Sequence, residues 1–517
     1  MTLRHTRTTA AVLSVIALGT GLAACGTSAP DAAQGSASSA QGPVPSGSWP
    51  YPNGNLANTR VAPDSTISSA NVSELRQAWT FTLPGKPTPG VGELDIGPIG
   101  VQPVVSHGVV YVQDLAANVF AVSLSTGKQL WEYQAGAPES SRTDPHGVAV
   151  AGGEVYGDSS TTVFALNAST GRPVWVDKAL LPTGQGLFDI QPLVTGGRMF
   201  LASQYGIGPG GGVLLALDAS TGRLIWKFHT VLGPDPAAQA AGVGSGGAWE
   251  PPLVSADGSV TFGIGNPYQT AASAIDQPSA QLYTDSDVNL NAATGQLRWY
   301  YQGEPNDFKD YDMQTSPISV RVNGRPAVIG AGKMGYVYAM NAHTGQLIWK
   351  TPVGAHNGHD NDSLNALEHH STLTAPYTIL PGSFGGVLFN PAVAGNSVYV
   401  AVSNLQFTAK SLNLPDGTAS GPATGDVEAL NLATGKVEWD TKVPTLPLGA
   451  ATVSNDLVFT TLVTGELIAL DRDTGQIVYR NPLPASTKAP IAIAGNTVLV
   501  AVGVTNGQQQ LVAYTAP

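Results

Sequence analysis

Short apolar runs with period-two alternation recur along this chain, each closed by the same polar turn and an aromatic residue. The stretch GVVYVQDLAANVFAVSL (residues 108–124) shows the pattern: two alternating runs, each long enough for one strand, parted by a polar break. An eleven-residue phrase follows such runs, as in ALDASTGRLIW (residues 216–226). Copies end at Trp131, Trp175, Trp226, Trp299, Trp349 and Trp439, and a worn copy, ALDRDTGQIVY, ends at Tyr479. In each, a third strand ends in a polar residue such as Asn167 or Asp218. Thr-Gly then supplies a tight turn whose glycine, for example Gly171 or Gly222, is free to take positive φ. A fourth strand follows and finishes in the aromatic.

The pattern predicts a repeated four-stranded antiparallel unit that cannot bury both faces alone. A tryptophan at the outer end of the fourth strand needs a wall, and the neighbouring repeat provides it. Radial stacking satisfies every copy, which predicts an all-β, eight-bladed β-propeller. Seven Thr-Gly turns are present, at Gly127, Gly171, Gly222, Gly295, Gly345, Gly435 and Gly475. The run LRQAWTF around Trp79 has no strands before it, and the C-terminal run APIAIAGNTVLVAVGVTNGQQQLVAYTAP has three strands and no tryptophan strand after it. Joined, they make the eighth blade. The intervals from Trp226 to Trp299 and from Trp349 to Trp439 exceed the ~40–50 residues of a blade. They read as insertions on one face, the alternative being a ninth blade after Trp349. Residues 353–383, rich in His, Asn and Pro, lack strand alternation.

The charged share of 12% and the high Gly and Pro content fit short strands and turns better than long surface helices. The net charge is −12. An acidic chain with no Walker loop and no GxGxxG after a strand is not expected to bind nucleic acid. The first 24 residues have export-signal grammar: Arg4 and Arg7, an apolar run, then small residues. Leu22-Ala23-Ala24-Cys25 resembles the bacterial lipoprotein box, which implies cleavage before Cys25, a lipid on its sulfur and anchoring to the outer face of the cytoplasmic membrane. Cys25 is the sole cysteine, so the chain has no internal disulfide and no CxxCH haem attachment. Residues 25–48 read as the lipidated cysteine and a flexible tether, and 49–517 as the propeller.

The repeat, with its Ala-Leu-Asp, Thr-Gly and Trp positions, resembles that of the pyrroloquinoline quinone (PQQ) alcohol dehydrogenases. It is equally similar to the repeat of non-enzymatic scaffold propellers, such as the lipoproteins that assist outer-membrane assembly. The segment NGNLANTRVAPDSTISSANVSELRQAW (residues 53–79) resembles the opening of the dehydrogenases more specifically. That resemblance carries site residues with it. GGAWEPPLVSADGSVTFGIGNP implies Trp249 as the floor on which the quinone stacks and Asn266 as a metal ligand through its amide oxygen. YYQGEPNDFKDYDMQTS implies Asp310 as the base that takes the alcohol proton, also near the metal, and Asp312 as the extra carboxylate of lanthanide-using members. GAGKMGYVYAMN implies Lys333 beside the quinone oxygens.

The sequence departs from the family in four places. Lys309 stands where a Trp is usual. The metal-binding Glu is missing from the glycine-rich stretch YGIGPGGGVLLALD, where Ile207 or a glycine aligns. The adjacent-cysteine pair is missing. His146 stands where an Arg holds a quinone carboxylate. Asp189 or Glu250 is a possible substitute acid. His356, His359, His369 and His370, with Asp360 and Asp362, crowd one insertion; they read as a transition-metal site or as a polar loop over the axis, a lid if the quinone site is real. Two functions follow. One is a dehydrogenase with PQQ and Ca²⁺ or a lanthanide, acting on an alcohol or sugar hydroxyl and passing electrons to an external acceptor. The other is a non-catalytic scaffold with a protein partner.

Overall fold

The computed structural model describes residues 47–85, 99–135, 146–181, 187–203, 211–231, 246–413, 417–503 and 508–517. Cys25, the export segment, nearly all of the tether, and residues 205–210 of the glycine-rich stretch lie outside them.

Eight antiparallel sheets form, seven of four strands and one of five. The second blade shows the local logic: Ala149–Ala151, Glu154–Ser159, Thr162–Asn167 and Pro173–Asp177 run from inner to outer edge. Third strands are packed between neighbouring sheets, so they read as near-continuous apolar runs; VLLALD is buried at its first five positions. Fourth strands form the rim, and in LIWKFH only Trp226 is buried there. The polar residue ending each third strand has a mechanical reason. Asp218 Oδ1 accepts from the N–H groups of Ser220 and Thr221, and Asn167 does the same for Ser169 and Thr170, which folds the Thr-Gly turn.

Each tryptophan lies on the turn glycine of the next blade. The Trp175 indole covers Gly222 and donates from Nε1 to Ala219 O at 2.8 Å; Trp131 covers Gly171 and donates to Ala168 O at 2.8 Å. Trp79, Trp226, Trp299, Trp349 and Trp439 repeat the arrangement on Gly127, Gly295, Gly345, Gly435 and Gly475. A Cβ on Gly222 would sit 2.6 Å from the indole, and φ there is +71°, so glycine is required twice over. The worn copy at Tyr479 also finds its explanation. Strand Arg76–Leu83 pairs with Gln509–Thr515, in a sheet completed by Thr497–Val502 and Ala492–Ala494. This blade is built from both ends of the propeller chain and has no Thr-Gly turn. Tyr479 lies beside Tyr514 and Arg76 of that blade, where no turn glycine waits for an indole.

The stretch from Trp49 to Ala62 ties several blades together. Arg60 is fully buried, and its guanidinium donates to Ala451 O, Asn53 Oδ1, Gln102 Oε1, Thr452 Oγ1 and Ile491 O at 2.8–3.1 Å. Asn53 bonds Ser316, and Asn58 bonds the carbonyls of Pro252 and Pro317. A buried guanidinium is tolerated because it finds acceptors on all sides.

The long intervals are insertions. The first carries helix Ala271–Asp276, capped by Thr270. The second carries helix Asp362–Leu367 and strand Tyr377–Ile379, and that strand pairs with Ser397–Ala409 as the fifth strand of its sheet. No ninth sheet appears among the described residues. The two insertions meet: Ala271, Ala274, Ala366 and Phe308 share one small apolar cluster.

Candidate functional site

The site lies at one end of two consecutive blades. The loop after strand Ser259–Gly263 carries Gly265 and Asn266. The loop after Leu297–Gln302 carries Glu304 to Asp312, and the turn between Arg325–Gly332 and Tyr336–Asn341 carries Lys333. Backbone bonds fix these loops: Gly265 N–H donates to Gly247 O at 2.6 Å, and Lys333 N–H to Asp312 O at 3.0 Å. Asp312 reaches back, with Oδ1 accepting from Asn266 N–H at 2.6 Å. Gly265 lets the groups close in; a Cβ there would lie 2.6 Å from Asp312 Oδ1 and 3.0 Å from Trp249 Nε1.

Lys333 Nζ bridges the two aspartates, 2.8 Å from Asp310 Oδ2 and 2.6 Å from Asp312 Oδ2. Burial favours loss of the ammonium proton, and the two carboxylates more than reverse that, raising the pKa. Asp310 is held at φ +61°, a left-handed conformation uncommon for a non-glycine residue. Trp249, Asn266, Asp310, Asp312 and Lys333 are therefore brought together. His146 belongs to an adjoining group: it feels Glu250, the residue after Trp249, and its N–H donates to Asp189 O. Glu250 is buried and accepts from Asn390 Nδ2 at 2.9 Å. Burial raises its pKa, which His146, Asn390 and Arg60 oppose.

Sequence reasoning missed further acids here. Asp285, Glu304 and Asp307 are buried in the same field as Asp310 and Asp312. Asp307 accepts from Lys309 N–H and Tyr311 N–H, both at 2.8 Å, and burial with nearby Glu304 pushes its carboxyl up. Burial and the same acids push Asp285 far above the carboxylate range. The signal was in the sequence: SDVNLN, led by Asp285, puts polar residues where other third strands are apolar. The donors are all oxygen, and Asn266 Oδ1 has no partner among the described residues although the residue is 3% exposed. Such a donor set fits a hard cation. Half-buried Trp249 and the Lys333 ammonium offer a flat apolar surface and a positive charge to a planar anionic quinone.

Lys309, the departure from Trp, has a structural job. Its buried ammonium pairs with Glu304 at 2.8 Å, lies 4.4 Å over the Tyr311 ring, and donates to His359 O and Asp360 O at 3.0 and 3.1 Å. Tyr311 Oη donates to Pro381 O at 2.6 Å. The histidine-rich insertion is thus pinned beside Asp310. Its histidines do not converge. His356 pairs with Asp360 at 2.5 Å and His359 with Asp362 at 2.6 Å, while His369 and His370 are exposed. The geometry is that of a pinned loop and corrects the transition-metal alternative.

The chain is thus an eight-bladed β-propeller with a buried oxygen-donor cluster at one end of two consecutive blades. Residues 49–355 match the family described as glucose/ethanol/alcohol dehydrogenase, beta-propeller domain, and the chain belongs to that family. The chain is 26% identical to quinoprotein alcohol dehydrogenase PedH of Pseudomonas putida over 81% of its own length and 79% of that protein's. It is 25% identical to lupanine 17-hydroxylase (cytochrome c) of a Pseudomonas species, covering 80% of this chain and 66% of that one. Among solved structures, quinohemoprotein alcohol dehydrogenase ADHIIG of P. putida superposes with a TM-score of 0.77 at 20% identity, over 91% of this chain and 80% of that one. A europium-containing methanol dehydrogenase gives 0.75 at 19% identity, over 91% and 98%. Residues 423–516 separately match the family described as outer membrane protein assembly factor BamB.

Proposed function

We propose that this chain is a dehydrogenase dependent on PQQ and a Ca²⁺ or lanthanide ion, oxidising the hydroxyl of an alcohol or sugar. The observation that carries the reading is the convergence of Trp249, Asn266, Asp310, Asp312 and Lys333 around Gly265. Asn266, Asp310 and Asp312 would hold the ion through oxygen; Trp249, Lys333 and His146 would hold the quinone. When bound, the quinone supplies the acceptor for the hydride that leaves the alcohol carbon. Asp310 accepts the hydroxyl proton at its carboxylate. Lys333, kept protonated by its two partners, pairs with that carboxylate and aims it. The insertion pinned by Lys309 shields the site from water. Electrons pass on to a separate acceptor. A lipid on Cys25, anchoring the protein to the outer face of the cytoplasmic membrane, completes the proposal, and the mass of the mature N-terminal peptide tests it.

A second reading, a scaffold that binds a protein partner, is favoured by the match of residues 423–516 to an assembly-factor family. PQQ titration of the purified protein, followed by tryptophan fluorescence with Ca²⁺, with La³⁺ and with chelator, separates the two. Saturable quenching that needs the ion and weakens in Trp249→Ala and Asp310→Ala supports the enzyme and leads to a dye-linked alcohol assay. No quenching with either ion overturns it and directs the work to partner capture.

A further inference from the structure

Each acid of the cluster but one has its charge met. Glu304 faces Lys309 at 2.8 Å, and Asp307 accepts two backbone N–H groups. Asp310 faces Lys333 at 2.8 Å, and Asp312 faces Lys333 and the Asn266 N–H, both at 2.6 Å. Asp285 is 0% exposed, and neither of its oxygens has a partner among the described residues. Five carboxylates thus share the space with the two ammonium groups of Lys309 and Lys333. An isolated buried carboxylate is among the costliest groups a fold can carry, so an offsetting positive charge is expected.

The backbone brings Asp285 to the loop that carries Asn266, whose Oδ1 also lacks a partner among the described residues. Asp285 N–H donates to Gly265 O at 3.0 Å, and the residue after Gly265 in that loop is Asn266. Asp312 packs against the same Gly265. Asp285 also takes φ +49°, a left-handed conformation that the strand it opens does not need. The backbone of Gly265 thus links two residues whose side-chain oxygens lack partners among the described residues, Asp285 and Asn266, and Asp312 lies against the same glycine.

We propose that Asp285 is an additional anionic donor of the cation site formed by Asn266, Asp310 and Asp312, supplying the negative charge that the glycine-rich stretch lacks. The inference rests on the cation-dependent reading above. It assigns the site a preference for the more highly charged ion, since donor charge sets affinity among hard cations.

The test is binding of Tb³⁺ and Ca²⁺ to the full-length protein without quinone, read by tryptophan-sensitised Tb³⁺ emission, by calorimetry and by the thermal midpoint. Wild type is expected to bind one Tb³⁺ and to melt at a higher temperature when loaded. Asp285→Asn is expected to bind Tb³⁺ at least tenfold more weakly and to lose less affinity for Ca²⁺. Its ion-free midpoint should equal or exceed that of wild type, because a buried charge has been removed. A purely structural role would lower the midpoint with and without the ion. Wild type that binds neither ion overturns the cation-dependent reading itself. Wild type that binds, with Asp285→Asn within twofold of it, overturns the role of Asp285 and leaves that reading intact. Asp312→Asn, weakened in the same assay, confirms that the emission reports this site.

Discussion

Replacing Gly222 by alanine tests the docking of each tryptophan on the next blade. The alanine Cβ would lie 2.6, 2.8 and 2.9 Å from three atoms of the Trp175 ring. Those separations are ~1 Å inside ordinary carbon contacts. The left-handed φ of +71° costs an alanine ~1–2 kcal/mol by itself. To relieve the clash the indole must slide, which strains the packing by ~1–3 kcal/mol. It also weakens the Nε1 bond to Ala219 O, worth about 1 kcal/mol. The expected loss is thus about 3–6 kcal/mol. Gly258 provides the control, because its φ is +78° and a Cβ there meets nothing within 4 Å. Gly258→Ala should cost only the backbone share, ~1–2 kcal/mol. Urea unfolding followed by far-UV circular dichroism, which does not depend on Trp175, measures both. In Trp175→Ala the added cost of Gly222→Ala should fall to the Gly258 value, since the obstacle is gone. If Gly222→Ala and Gly258→Ala shift the urea midpoint equally, close docking is not what selects glycine at these turns.

Two further outcomes are expected. Lys309→Met should leave Glu304 buried without its partner, costing about 3–5 kcal/mol, and should speed proteolysis within residues 353–383 several-fold; adding Glu304→Gln should restore most of the stability but not the protection, and restored protection would show that the insertion is not held through Lys309. Glu428 is buried beside Asp426, Asp440 and Lys442 and accepts from Gly354 N–H at 2.6 Å; burial pushes its carboxyl from 4.5 up to about 7. The folded state then binds the proton more tightly than the unfolded one. Stability should therefore fall as pH rises from about 4.5 to 7, by at most ~3 kcal/mol, and flatten above. Glu428→Gln should remove this residue's share of the slope in urea midpoints taken across the range, with buried Asp307 and Asp285 keeping theirs, and an unchanged slope would place its origin wholly elsewhere.

The blades were legible because their signals are local. A period-two run, an Asx turn, a Thr-Gly pair and a tryptophan fall within a few tens of residues, so the count of eight and the meeting of Trp79's strand with the C-terminal run could be worked out from spacing. The elements within 353–383 were not legible, since a six-residue helix and a three-residue strand are too short to display a period. Of the site, Trp249, Asn266, Asp310, Asp312 and Lys333 came from resemblance, and only the fold shows that they meet. Asp285 matched no motif. Its isolation follows from burial and from the backbone bond that sets it beside Gly265. The Lys309 departure looked like a defect in a motif because its acceptors, His359 O and Asp360 O, are fifty residues away along the chain.

The setting of Arg60 bears on how the molecule is made. Its guanidinium is satisfied by Asn53 and Gln102 early in the chain, and by Ala451, Thr452 and Ile491 near the end. During synthesis the first acceptors emerge long before the last ones, and burying an arginine with half its hydrogen bonds missing is unfavourable. The opening segment must therefore stay hydrated until the seventh and eighth blades exist. Arg60 acts as a checkpoint for completeness: a truncated or stalled chain cannot seat it, and leaves the whole stretch from Trp49 to Ala62 available to proteases.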